Sequence, residues 1–166
     1  VIRLPSRVHW AALALPLVLT AGNRPDLYRI PLSGTGPASR LTGTAILTPA
    51  RSPFGIATTR DGHFVFQIEV AAPSLPAPAT YGAQFTTYVA WVTTAQLDRI
   101  ERIGALLPAT KAAGRFAMSK FMVVVTAEPD ANRVRWSGPI VLRGLSPSSY
   151  LTNFSGHTMF NGGMPQ

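Results

Sequence analysis

Imidazole and carboxylate groups do most enzyme chemistry, and here they are few and scattered. His9, His63 and His157 fall in three separate segments, none with a partner at metal-ligand spacing. His63 follows a turn and opens a strand, the setting of an exposed edge histidine. His9 reads as an interfacial side chain, with an axial ligand to a pigment or haem as the competing role. Asp98 and Glu101 stand beside Arg99 and Arg102, so mutual ion pairing accounts for them better than general acid–base work. Glu69 and Glu128 are single carboxylates on a strand or turn. A serine nucleophile needs a base and an orienting group. Gly144-Leu145-Ser146-Pro147-Ser148 lacks the Gly-x-Ser-x-Gly pattern, and no strand-to-helix elbow follows it. Ser33-Gly34-Thr35-Gly36 runs into Pro37, outside the strand–helix setting of a dinucleotide loop. The absence of cysteine excludes disulfides, thiolate zinc sites, iron–sulfur clusters and a cysteine nucleophile. The expectation is a non-enzymatic chain with no catalytic residue, no cofactor and no metal site. An enzymatic reading would need His63 or His157 to meet a carboxylate in a cleft.

The elements that carry these residues must come from a chain of 166 residues, 46% of them apolar, which suits one domain with a substantial core. Charged residues make up only 13%, against roughly 25% in soluble domains. That balance is the reverse of the disordered signature. Fifteen basic and seven acidic side chains leave a net charge of +8. Nucleic-acid binding needs a dense basic face with interleaved aromatics. Here Arg51, Arg60, Lys111, Arg115 and Lys120 sit singly, and only Arg133 and Arg135 come close together, in a turn. No nucleic-acid partner is expected.

Arg3 and Arg7 precede an uncharged apolar run from Val8 to Gly22. As a helix this run would span about 22 Å, short of the roughly 30 Å hydrocarbon core, and Pro16 would kink it. The basic start follows the secretory-signal pattern, but Leu19-Thr20-Ala21 puts a large side chain where cleavage needs a small one. Residues 1–22 are therefore read as a membrane anchor, a short apolar helix, or as an uncleaved signal-like segment. Val8, Trp10, Leu13, Leu15, Leu17 and Leu19 are the anchor residues. The arginine bias keeps the start cytoplasmic and the remainder outside, on the periplasmic face of a bacterial inner membrane.

Residues 23–40 hold Pro25, Pro31, Pro37, Gly34 and Gly36 and read as an extended linker with apolar anchors at Leu27, Tyr28, Ile30 and Leu32. From Leu41 the pattern has period two. After the Asp61-Gly62 turn signal, Phe64, Phe66, Ile68 and Val70 are expected inward, with Val65, Gln67 and Glu69 outward. Thr42–Leu47, Phe85–Val92, Phe116–Met118, Phe121–Ala127 and Ile140–Arg143 read as further strands, separated by PSLPAP, LPATKAAG and EPDANR. Residues 94–103 read as the one helix candidate or as a turn leading into a strand. Seven or eight strands at this spacing over residues 41–145 predict an all-β, immunoglobulin-like β-sandwich.

The order Tyr88-Val89-Ala90-Trp91, Ile103-Gly104-Ala105-Leu106, Phe121–Val125 leading into Glu128-Pro129, and Ser137-Gly138-Pro139 followed by Ile140-Val141-Leu142 resembles the extracytoplasmic C-terminal domain of anti-sigma-K (RskA-like) factors. The resemblance covers about residues 84–144 and implies a β-sandwich facing outward. Asp130-Ala131-Asn132 stands where that family carries a glycine pair, and the sigma-binding helical region has no counterpart before Leu41.

Residues 146–166 contain neither acid nor base. Their Tyr150, Leu151, Phe154, Met159, Phe160 and Met164 are residue types that anchor protein interfaces, so an extended partner-docking tail is expected. The expected function is a non-catalytic structural or scaffold subunit bracing a bacterial membrane protein complex, with protein subunits and the membrane surface as partners. As a general impression the chain is similar to the membrane-extrinsic accessory polypeptides of a bacterial photosynthetic reaction centre–light-harvesting complex. The alternative is a freestanding periplasmic sensor or ligand-binding β-sandwich related to the anti-sigma domains.

Overall fold

Strands form where branched and aromatic side chains can alternate between a core and water, and this chain does so repeatedly. The computed structural model describes residues 26–107 and 110–150. In chain order the strands are β1 (Arg29–Gly34), β2 (Thr42–Pro49), β3 (Arg51–Ser52), β4 (Gly55–Ile56) and β5 (Phe66–Ala71). They continue with β6 (Thr87–Thr93), β7 (Ile100–Leu106), β8 (Lys111–Phe116), β9 (Met122–Glu128) and β10 (Ile140–Leu145). Eight of them make one antiparallel sheet in the order β7-β6-β9-β10-β1-β2-β5-β8, while β3 and β4 form a separate small hairpin. The two end strands, β7 and β8, come back together, so the sheet is nearly closed. Gly104, Ala112 and Gly114 line that seam, where side chains larger than methyl would hold the strands apart. The all-β expectation is met. Among the described residues no helix is long and apolar enough to cross a membrane.

Inside the curl, Ile30, Leu32, Leu47, Ile68 and Val70 pack against Tyr88, Val92, Leu106, Val123, Val125 and Leu142. Phe66, Phe116 and Phe121 close one end of this core, with ring centroids 5.9 Å apart for the first pair and 4.6 Å for the second. Tyr88 meets Tyr81 edge to face at 6.3 Å and donates its hydroxyl to the Pro76 carbonyl at 3.0 Å, so the connection from β5 to β6 closes the other.

Residues 23–40 were expected as a linker, but Arg29–Gly34 is a full member of the sheet. Ile30 and Leu32 are buried, with Arg29, Pro31 and Ser33 outside, which is an ordinary strand alternation interrupted by a proline. The proline has a definite effect. Thr35 donates its N–H to the Val141 carbonyl, and alternate residues of a strand point the same way, so Ser33 and Pro31 also face β10. Pro31 has no N–H to give, and the ladder with β10 stops after Ser33↔Arg143 and Gly34↔Leu142. The sheet is thus two four-stranded halves joined by two register pairs.

Three other expectations shift. Phe64 lies before β5 and is 54% exposed, because the 60–63 turn twists it away from the alternation that Ile68 and Val70 keep. The strand expected at Phe116–Met118 runs instead through Lys111–Phe116, whose alanines and glycine read as a loop in sequence. Residues 94–103 form a turn and then β7, the second of the two readings given above. The turn is tied by the Thr94 hydroxyl on the Asp98 carboxylate and puts Leu97 at φ 61°.

Glycines divide sharply in how tightly they are held. A Cβ at Gly144 would lie 2.4 Å from the Pro31 carbonyl oxygen, whereas one at Gly104 would meet the Ala112 methyl at an ordinary 3.7 Å. Gly144→Ala is expected to destabilise the fold by about 1–3 kcal/mol, and Gly104→Ala by less than about 0.5 kcal/mol. Urea midpoints of the two variants check this contrast.

Candidate functional site

Glu128, the last residue of β9, is the one entirely buried charged side chain among the described residues. Among those residues no cation pairs with it. Its Oε1 accepts from the Thr126 hydroxyl at 2.7 Å and from the Ser137 and Gly138 N–H groups at 3.1 and 3.2 Å. Its Oε2 accepts from the Ser137 N–H at 3.1 Å and the Ser137 hydroxyl at 2.9 Å. Every facing group is a donor, the set an acceptor-only carboxylate requires. The Thr126 oxygen in turn accepts the Trp91 indole N–H at 2.9 Å, which fixes the direction of its hydroxyl.

This network explains why β6 and β9 are buried on both faces. A three-residue spacing within a strand sends side chains to opposite faces. Tyr88 therefore enters the core while Trp91 lies on the outer face. The 129–139 loop folds back over that outer face. Trp136 packs edge to face on Trp91 with centroids 6.0 Å apart, and Glu128 grips the start of the return strand. Gly138 passes so close to Ala127 that a Cβ would lie 1.7 Å from its carbonyl oxygen. The Trp of the Tyr-x-x-Trp run and the Glu-Pro and Gly-Pro residues singled out in sequence are thus gathered into one internal clasp, while Tyr88 serves the core on the other face. Glu128 was read there as a single carboxylate. The signal that could have found it is the donor-rich Ser-Gly-Pro nine residues downstream.

The other candidates are dispersed. His63 Nδ1 lies 3.0 Å from the Ser119 hydroxyl rather than near a carboxylate. Glu101 pairs with Arg99 at 2.7 Å as expected, but Asp98 goes to Thr94, and Arg102 donates to the Ala131 carbonyl at 3.3 Å. The Thr94 hydroxyl, aided by backbone N–H groups of Asp98 and Arg99, holds the Asp98 carboxyl below its ordinary value. Glu69 pairs with Lys111 at 2.8 Å beside a groove of about 430 Å³, with Arg29, Ile46 and Pro73 also on its walls. Ser146 is buried and accepts the Phe121 N–H at 3.2 Å, tying the end of β10 to the start of β9. Among the described residues no three His, Asp or Glu side chains are placed to hold a metal ion.

The anchor residues Val8, Trp10, Leu13, Leu15, Leu17 and Leu19 lie outside the described residues, as do His9 and His157. So do the docking residues Leu151, Phe154, Met159, Phe160 and Met164 and the side chain of Tyr150. The strand directions do fix where both segments attach. β1 starts, and β10 finishes, at the same end of the sheet. The β3–β4 hairpin, the β6–β7 turn and the β8–β9 loop are at this end too. It carries the exposed Leu27, Tyr28, Phe54, Ile56, Phe64, Leu97 and Leu145, while the opposite end exposes Leu107, Val134 and Ile140, and Ile46 is exposed midway along β2. No family model, characterised protein or solved structure matches the chain.

Two outcomes test this description. Glu128→Ala strands the Thr126, Ser137 and Gly138 donors and is expected to cost about 3 kcal/mol or more, at roughly 1–3 kcal/mol per buried unpaired group. Quenching of Trp91 and Trp136 fluorescence by acrylamide should rise in the same variant as the loop loosens. Burial, and secondarily the neighbouring Tyr81, push the Tyr88 phenol from 10.0 up to about 12. From about pH 10 to about 12 the unfolded chain has lost a proton that the folded chain keeps, so stability falls as pH rises through that window. Absorbance titration at alkaline pH should show a late phenol step that Tyr88→Phe removes.

Proposed function

We propose that this chain is a non-catalytic structural subunit that braces a bacterial membrane protein complex at its periplasmic face. The observation that carries the reading is the one-ended chemistry of the β-body. Both flanking segments attach at the same end, and most of the exposed large apolar side chains gather there. The residues that looked most like a motif are occupied in holding the fold. In this reading residues 1–22 anchor the chain to the membrane, and the tail from Tyr150 to Gln166 docks on a neighbouring subunit. The two four-stranded halves serve as an immunoglobulin-like sandwich related to the RskA-like extracytoplasmic domains, without sigma-factor binding. The photosynthetic reaction centre–light-harvesting setting is the specific version of the same proposal.

A second reading, a freestanding periplasmic sensor or ligand-binding domain, draws on the groove beside Lys111 and Glu69. Detergent solubilisation followed by native electrophoresis and mass spectrometry separates the two. Truncation after Ser149 is expected to abolish co-migration with a membrane complex while the thermal unfolding of the β-body stays unchanged. A truncated chain that remains in the complex removes the docking tail from the proposal. A soluble monomer lacking its first 22 residues would favour the sensor.

A further inference from the structure

We propose that the β3–β4 hairpin is a lipid-contacting finger that seats Phe54 at the headgroup–acyl boundary of an anionic bilayer, a contact separate from the N-terminal segment. The proposal deepens the membrane-bound reading above and rests on it. Phe54 at the hairpin tip is 100% exposed, and Ile56 and Phe64 are 52% and 54% exposed. These are not residues short of a core, because Phe66, Phe116 and Phe121 already close the core beneath them. Nor is the finger loosely held. Ala50 at its base is buried, and it is stitched to the body by Ala50 N–H on the Val65 carbonyl at 2.8 Å and Ala57 N–H on the Ala50 carbonyl at 2.7 Å. At the tip the Phe54 N–H reaches the Ser52 hydroxyl at 3.3 Å. An aromatic side chain presented on a braced hairpin has less freedom left to lose on insertion.

The charges around it choose the partner. Arg51 and Arg60 on the excursion and Lys120 in the β8–β9 loop are exposed and make no ion pair among the described residues, with Asp61 the one acid on the excursion. Apolar side chains flanked by arginine and lysine suit anionic headgroups over an acyl interior. At the same end the β6–β7 turn exposes Leu97 at φ 61°, a conformation that glycine or asparagine would occupy without strain, next to the exposed Asp98. The tether also has the right reach. From Gly22, the end of the apolar run, to Asp26 is 26 − 22 = 4 residues, at most about 14 Å of extended chain. An anchor in the bilayer therefore holds this end of the body, and no other, against the surface.

The chain contains no cysteine, so Phe54→Cys and Val134→Cys each give a unique attachment point for an environment-sensitive fluorophore, one at the finger and one at the opposite end. The full-length chain is reconstituted with vesicles of phosphatidylcholine with or without phosphatidylglycerol, and flotation measures binding. With phosphatidylglycerol present, the probe at 54 should shift to the blue and be quenched by nitroxides on the acyl chains, while the probe at 134 stays open to aqueous iodide. Arg51→Gln with Arg60→Gln should weaken tip insertion by about 25-fold, roughly fivefold per charge. Floating protein whose residue-54 probe remains iodide-accessible would overturn the finger while leaving the N-terminal anchor intact. A tip shielded from both quenchers means that a second protein copy covers it, and overturns lipid contact. Failure to float at all removes the membrane reading together with the finger.

Discussion

A carboxylate shut away from water must find its donors within the chain, and that requirement organises one half of this protein. Glu128 draws Ser137 and Gly138 back across the end of β9, and the loop between them then covers Trp91. A buried charge without a cation is costly unless hydrogen bonds answer it fully. Here four separate donor groups do so, two from the backbone and two from hydroxyls. The clasp also sets the start of β10, whose bulge at Val141 turns that residue into the core and aims its carbonyl at Thr35. From there the second half of the sheet follows. The order of dependence runs from a single side chain to a loop, to a strand, and to the junction between the halves.

The two ends of the sheet present two kinds of surface. At the far end, turns and the 129–139 loop present arginines and backbone, with Leu107, Val134 and Ile140 as its exposed large apolar side chains. Isolated exposed apolar residues are normal on any surface and need no function. At the end where β1 begins, the apolar side chains instead come from Leu27 and Tyr28, from several strand connections and from the last residue of β10, around a core already closed by phenylalanines. Apolar side chains gathered at one end in this way are the feature on which the proposed contact rests.

Much of the fold was legible because burial on one face leaves a period of two. Ile68 and Val70 in β5, Ala45 and Leu47 in β2 and the doubly buried runs of β6 and β9 could all be read directly. β1 was not, because three prolines and two glycines within residues 23–40 suggested a connector, and only the pairing with β2 shows that Pro31 faces a neighbour it does not need to bond. β8 was hidden for a different reason. Ala112, Ala113 and Gly114 have little strand propensity and are small because β7 crosses close by, a constraint that exists only in three dimensions. Glu128 was legible as a residue but not as a hub, since its donors lie across a loop. The finger escaped notice because Pro53-Phe54-Gly55 reads as an ordinary turn with one stray aromatic.

The short ladder between β1 and β10 has a mechanical meaning. These neighbouring strands begin and end, respectively, at the same end of the sheet. Tension applied through the start of β1 and the end of β10 pulls the strands apart transversely, so their bonds are loaded one after another instead of together in shear. Two register pairs, the Thr35–Val141 bond and the Thr35 hydroxyl on the Ile140 carbonyl meet that load first, backed by Ile30, Leu32, Val141 and Leu142 in the shared core. Load applied in this direction therefore tests the short ladder before it tests the longer pairings of β2 with β5 or β6 with β9.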